Sequence, residues 1–184
     1  CDGMSILEIG SHLGIITEQL LDAFPHSNIT GLEPDPVLAS YISIHLRDKA
    51  QGRLQILQES ITSPNLPQDE FDIVIARFVF QHFTNPIDSA GRAWRALKPG
   101  GRLIILDADD GIWGIDDPPR PEYAAIIAKK AKAQEEMGGN RYIGRNLLRI
   151  LRDSGFESTD IEAILWHSDA LGADSYHALV AAID

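Results

Sequence analysis

The sequence predicts an α/β fold in which helices cover both faces of a seven-stranded, mostly parallel sheet whose last strand is antiparallel. Three observations carry that expectation. Strand-length apolar runs alternate with helically spaced ones five times, at roughly 25-residue intervals. The run Phe71-Asp72-Ile73-Val74-Ile75-Ala76 is too evenly apolar for a strand with one wet face and suits a buried parallel strand. Two β-prone segments near the C-terminal end follow each other with no long helix between them, which fits an antiparallel pair and no parallel crossover.

Ser5-Ile6-Leu7-Glu8-Ile9 reads as the first strand. It closes at Gly10, and Ile15, Ile16, Leu20, Leu21 and Phe24 then recur with helical spacing up to Pro25. Asn28 to Leu32 is the second strand. After Glu33-Pro34-Asp35-Pro36, the residues Val37, Leu38, Tyr41, Ile42 and Leu46 mark a helix, with Asp35 as its cap and Pro36 at its first position. Arg53 to Gln58 alternates as a third strand, and Phe71 to Ala76 is the fourth. Ala90 to Leu97 is helical and stops at Lys98-Pro99-Gly100-Gly101, after which Arg102 to Leu106 forms the fifth strand. Beyond Pro118-Pro119-Arg120-Pro121, helices are expected over Glu122–Met137 and Asn146–Ser154, ended by Gly138-Gly139 and Gly155. Ser158–His167 and Tyr176–Ile183 are the final strands. Trp94 and Trp166 are expected to be packing residues.

The 184 residues fit a single domain spanning 1–184. Lys and Arg number 16 against 27 Asp and Glu, a formal charge of 16 − 27 = −11. Nucleic-acid binding draws on clustered cations, so this balance argues against a nucleic-acid partner. The only cysteine is Cys1, which excludes an internal disulfide and suits a reducing, cytoplasmic setting. No apolar run approaches the length of a membrane span. The six histidines show no paired spacing with an acid or a cysteine, so no metal site is expected. The chain begins at Cys1 without a basic and apolar leader, which reads as a trimmed chain and not a secreted one.

Chemistry concentrates at the carboxyl ends of the first strands. In Leu7-Glu8-Ile9-Gly10-Ser11-His12-Leu13-Gly14 the glycines permit a tight strand-to-helix turn and close approach of a ligand to backbone N–H groups. Small residues at such a turn also serve plain packing. Glu33, 19 residues beyond Gly14, stands where an acid accepts hydrogen bonds from ribose hydroxyls. Together they point to an adenosine-type cofactor.

An ordered series of segments then resembles the class I S-adenosylmethionine-dependent methyltransferases, a Rossmann-like three-layer family. The series is Ile6-Leu7-Glu8-Ile9-Gly10, Thr30-Gly31-Leu32-Glu33-Pro34, Gln58-Glu59-Ser60, Phe71-Asp72-Ile73-Val74 and Arg95-Ala96-Leu97-Lys98-Pro99-Gly100-Gly101. It covers residues 5 to 107 closely and the rest loosely. The resemblance implies that the turn (Glu8, Gly10, Ser11, His12, Gly14) holds the methionine part and ribose of S-adenosyl-L-methionine. It further implies that Glu33 and Pro34 meet the ribose, that Glu59 and Ser60 face the adenine, and that Arg77, Phe78 and His82 close over the cofactor beside the substrate. Hydride transfer shares the turn and the ribose acid. It is disfavoured because Glu8 would repel a pyrophosphate and suits a cofactor ammonium group, and because no Tyr-x-x-x-Lys pair occurs.

Two departures stand out. The middle glycine of the family's first turn is His12 here, a residue type less averse than most to left-handed backbone; either its side chain swings outward or binding is weakened. Only Cys1-Asp2-Gly3-Met4 stand before the first strand where the family has one or two helices; if the chain lacks those helices in nature as well, an open cleft and weak cofactor binding are expected. These features keep open a methyltransferase-like domain without turnover, acting as a binding or regulatory module. For methyl transfer to a small molecule, His82 is the candidate general base, since it titrates near neutrality at the end of the fourth strand; it could equally cap or pack a short helix. Asp107 and Asp109, with neighbouring Asp110, follow the fifth strand and could bind a cationic or hydroxylated acceptor, and Trp113 could line its entrance. They could also form a solvated acidic loop. A monomer or a homodimer is expected.

Overall fold

The structure, a computed structural model, describes residues 3–112 and 120–164. Its centre is a parallel sheet of five strands in the order β3-β2-β1-β4-β5, with β1 at Ser5–Ile9, β2 at Asn28–Leu32, β3 at Leu54–Leu57, β4 at Phe71–Arg77 and β5 at Leu97–Leu106. Every strand pair is parallel, and Ile9 lies level with Leu32 on one side and Ala76 on the other. All five carboxyl ends therefore open on one edge of the sheet.

Alternation along the strands splits the core in two. Leu7, Ile9, Val74 and Ala76 point into one cluster with Phe80, Ala90, Ala93, Leu147 and Ile150. Ile6, Ile29 and the partly buried Ile73 and Ile75 point the other way, against Leu20, Leu21, Ile42 and Leu46. The first layer is thus built on α4 (Pro86–Ala96) and α6 (Leu147–Asp153), the opposite one on α1 (Ile15–Ala23), α2 (Pro36–His45) and the short α3 (Arg47–Ala50). The near-continuous apolar character of β4 follows from its being covered on both faces.

The capping logic holds at α2, where the Asp35 carboxylate accepts from Val37 N at 2.7 Å and Leu38 N at 3.1 Å, with Pro36 in the first turn. The same device sets the start of α4. Asn85 accepts from Asp88 N and Pro86 follows it, so the helix begins four residues before the expected Ala90. It ends at Ala96, and Leu97 is already in register with Phe71. The strand then slips between Phe71 and Ile73 before pairing resumes at Arg102, so Lys98–Gly101 is an irregularity inside β5 and not a linker before it. Helix α5 (Pro121–Glu136) and two 3₁₀ turns, Phe80–His82 after β4 and Ile143–Asn146 ahead of α6, complete the described elements.

The expected sheet of seven strands is corrected to five among the described residues, all parallel. Ser158–Ile164, the described part of the expected sixth strand, forms no strand; its amide groups find no neighbouring ladder among these residues. The rest of that segment, the antiparallel strand Tyr176–Ile183 and Trp166 lie outside the described residues. Trp94 is not a packing residue: it is 49% exposed on α4, whose buried face is built from Ala90, Ala93 and Ala96.

The packing makes a contrast that chemical denaturation can check. Leu7→Ala, at a fully buried position on the central strand, is expected to cost about 2–5 kcal/mol. Ile44→Ala, 63% exposed on α2, should change stability by no more than about 0.5 kcal/mol.

Candidate functional site

The turn after β1 is left-handed at every second residue: Gly10 has φ +77°, His12 +47° and Gly14 +80°. Only glycine takes such angles at little cost. At Gly14 space forbids a side chain as well, since a Cβ would lie 3.1 Å from Ile42 Cγ2 of α2. His12 carries the strain of a side chain in this region and is exposed.

Backbone and carboxylates hold the turn in place. Gly10 N and Ser11 N both donate to Leu32 O, at 2.9 and 3.1 Å, splicing the turn onto the end of β2. Glu33, directly beyond, accepts from His12 N through Oε2 at 2.8 Å and from Asp35 N through Oε1 at 3.0 Å. It is 5% exposed. On the other side, buried Glu8 accepts from the hydroxyls of Ser11 and Thr17 through Oε2. Burial pushes the Glu8 carboxyl above its ordinary value; the two hydroxyls oppose that rise and the Glu33 charge adds to it. Pro34 lies between Glu33 and the capping residue Asp35. Glu59 and Ser60 are partly buried just past β3, and Ser60 Oγ is bonded to Thr62 Oγ1.

A second corner forms at the ends of β4 and β5. Phe78 has φ +52°, and the Arg77 guanidinium lies 4.5 Å from its ring centre. Partial burial lowers the Arg77 pKa. Phe80–His82 then makes one 3₁₀ turn, so the plainer expectation of a short helix at Gln81-His82 is also met. Asp107 is clamped against it, its Oδ2 accepting from Gln81 N at 3.2 Å and its Oδ1 from Ala108 N at 2.9 Å. Burial raises Asp107 to about 6, against the pull of these N–H bonds and of Arg141.

The acidic cluster divides by partner. Asp109 is paired with Arg145 through two contacts of 2.7 Å, which hold its carboxyl below the ordinary range. Asp110 pairs with Arg141 at 2.8 Å, both buried. Asp110 N also donates to Arg141 O at 2.9 Å, and Gly144 N to Ala108 O at 3.1 Å. Asp107 is thus the member of the trio without an arginine hydrogen-bonded to it, whereas Asp109 is engaged by Arg145. Sequence reading missed Arg141 and Arg145; the signal was two arginines in Gly138–Asn146 facing three aspartates after β5. Trp113 lies outside the described residues.

Turn, acid and strand ends are thus assembled on one edge of the sheet. The methyltransferase domain family matches residues 7–105, from the first strand to the end of the fifth. The chain belongs to that family. Its architecture is that of the class I S-adenosylmethionine-dependent methyltransferases. It is 30% identical over 102 residues to malonyl-[acyl-carrier protein] O-methyltransferase of Paenibacillus sp. strain JDR-2, covering 54% of this chain and 37% of the relative. It is 25% identical over 179 residues to the ubiquinone/menaquinone biosynthesis C-methyltransferase UbiE of Vibrio vulnificus strain YJ016, covering 85% and 65%. The fold matches phosphoethanolamine N-methyltransferase 2 of Haemonchus contortus, solved with phosphomonomethylethanolamine and S-adenosylhomocysteine, at TM-score 0.68, 18% identity and coverage of 88% and 35%. The chain therefore spans from about a third to two thirds of the length of these relatives.

Asp107 supplies a pH test within this methyltransferase domain. Its folded value of about 6 lies above the ordinary 3.8, so the native state keeps a proton that the unfolded chain releases. Stability from this group is present below 3.8 and falls as pH climbs to about 6. In denaturation curves, Asp107→Asn should gain on the order of 2 kcal/mol relative to wild type on passing from the bottom to the top of that window. A difference that stays flat across it would show that burial does not raise this carboxyl.

Proposed function

We propose that this domain binds S-adenosyl-L-methionine across the carboxyl ends of β1, β2 and β4 and transfers its methyl group to a small-molecule acceptor. The observation that carries this reading is the left-handed turn Gly10–Gly14 tied to the Glu33 carboxylate. The turn presents backbone at close approach, and Glu33, with one hydrogen bond on each oxygen, keeps lone pairs for ribose hydroxyls. The residues suit the cofactor: Gly10, Ser11, His12 and Gly14 would cradle its amino-acid part and ribose, with Glu8 as the buried anion behind them. Glu33 and Pro34 would meet the ribose, Glu59 and Ser60 the adenine side, and Arg77 and Phe78 would close the far wall. When bound, the cofactor supplies a sulfonium-activated methyl group.

What remains for the protein is alignment and, where the nucleophile carries one, removal of a proton. Asp107 stands in the second corner with a value near 6, raised enough to make it a better proton acceptor than an ordinary aspartate and still ionised at neutral pH. It would serve a hydroxylated or cationic acceptor. The charge of −11 favours a small acceptor over nucleic acid. The named relatives act at oxygen, carbon or nitrogen, and we assign no acceptor atom. Residues 1–184 are read as one domain, monomeric or homodimeric, in a reducing cytoplasmic setting. No helix among the described residues is long and apolar enough to cross a membrane.

Titration calorimetry of the full chain with S-adenosylhomocysteine tests this. Glu33→Ala should weaken binding by at least about tenfold, or 1.4 kcal/mol; affinity equal to wild type would remove the site assignment. Incubation with methyl-labelled cofactor and a cell extract should yield a labelled small product, and tight binding without product would favour the binding module.

A further inference from the structure

Gln134 of α5 and His82 of the 3₁₀ turn meet across the second corner, Gln134 Nε2 lying 2.8 Å from His82 Nδ1. Which of the two atoms is the donor follows from a third group. The same Gln134 Nε2 reaches the Gln81 carbonyl oxygen at 3.4 Å, and that oxygen is already fixed by Asn140 N–H at 2.7 Å. A carbonyl can only accept. The opposite amide orientation would set two oxygens face to face, so the NH₂ group belongs on this side. An NH₂ hydrogen aimed at Nδ1 requires a lone pair there. A neutral imidazole with its lone pair on Nδ1 carries its hydrogen on Nε2.

The surroundings keep this arrangement in place. Gln134 is buried, and Gly139 leaves the room it needs: a Cβ at that position would fall on the Gln81 carbonyl and 2.5 Å from Gln134 Nε2. The glycine pair that stops α5 is thus also the gap through which the amide reaches His82. The charge that acts on the ring is Arg141, from the segment after α5, and Asp107, just past β5, holds Gln81 N of the same 3₁₀ turn. Partial desolvation of the ring and the Arg141 charge both lower the His82 pKa and favour its neutral form.

We propose that Gln134 is a positioning residue that locks His82 in its Nε2–H tautomer, so that the outer nitrogen offers a bound molecule a hydrogen-bond donor and no lone pair with which to take a proton. A carbonyl or anionic oxygen is the chemistry such a donor recognises. The expected role of His82 as general base is thereby replaced, and proton removal falls to Asp107. The use of this donor in methyl transfer rests on the reading given above; the tautomer does not.

The test is long-range ¹H–¹⁵N correlation spectroscopy on the full chain with labelled histidine, without ligand, at about pH 8, above the ordinary histidine range. The His82 signals are assigned by their loss in His82→Asn. A single pattern with Nε2 protonated and Nδ1 bare is expected. A pattern averaged over both tautomers, or one with Nδ1 protonated, overturns the proposal. Gln134→Glu replaces the donor with an acceptor, and it should move the proton to Nδ1 and raise the His82 titration midpoint by roughly one to two units; an unaltered pattern in a folded variant also overturns it. Should that variant not fold, the wild-type spectrum decides alone. Loss of the cofactor reading in calorimetry would leave the spectrum unchanged, so the two can fail separately.

Discussion

The domain depends on a pair of buried carboxylates that hold one turn from opposite sides. Glu8 takes the Ser11 and Thr17 hydroxyls, and Glu33 takes the His12 amide. Between them the backbone passes through the left-handed region three times, a sequence of torsions that costs free energy and persists only where its surroundings over-determine it. The carboxylates supply that determination. Burial raises the Glu8 carboxyl against the pull of the two hydroxyls, and the Glu33 charge adds to that rise. Burying two acids next to a strained turn does nothing for folding as such, and stabilising elements elsewhere must offset it: the double-sided core about β1 and β4, and the caps of α2 and α4.

Much of the sheet was legible in the chain because its signals are local. Period, caps and glycine stops fix each strand and helix within a few residues, and five alternations leave little choice of topology. The misses differ in kind: some were local, and one turned on a partner distant in sequence. The start of α4 was readable from Asn85-Pro86, the counterpart of Asp35-Pro36. The slip inside β5 depends on how Leu97 meets Phe71, and no window around Lys98–Gly101 contains that information. The exposure of Trp94 follows from which face of α4 the alanines occupy.

The site divides along the same line. The residues proposed for the cofactor lie in one turn and at strand ends, where position along the chain nearly equals position in space, and Gly10, Gly14 and Glu33 could be chosen from spacing. Residues of the second corner could not. Asp107 and Asp109 look alike in sequence; Arg145 separates them, 36 residues away from Asp109. His82 was visible, but its chemical character is set by Gln134, and a sequence reading had no means to join an amide in a helix to an imidazole 52 residues earlier.

The neck formed by Asp109, Asp110, Arg141 and Arg145 has a consequence for how the domain can vary. Two ion pairs and two backbone bonds bring the chain back to its point of departure, so the 30 residues from 111 to 140 leave and re-enter through a fixed socket. With the ends already joined, doubling the length of that excursion would add only about 0.6 kcal/mol of closure entropy. The socket is not indifferent to its load: Gln134 and Asn140, both within the excursion, reach back to His82 and to the Gln81 carbonyl, so any segment grafted between the two arginine–aspartate clasps would have to restore those contacts.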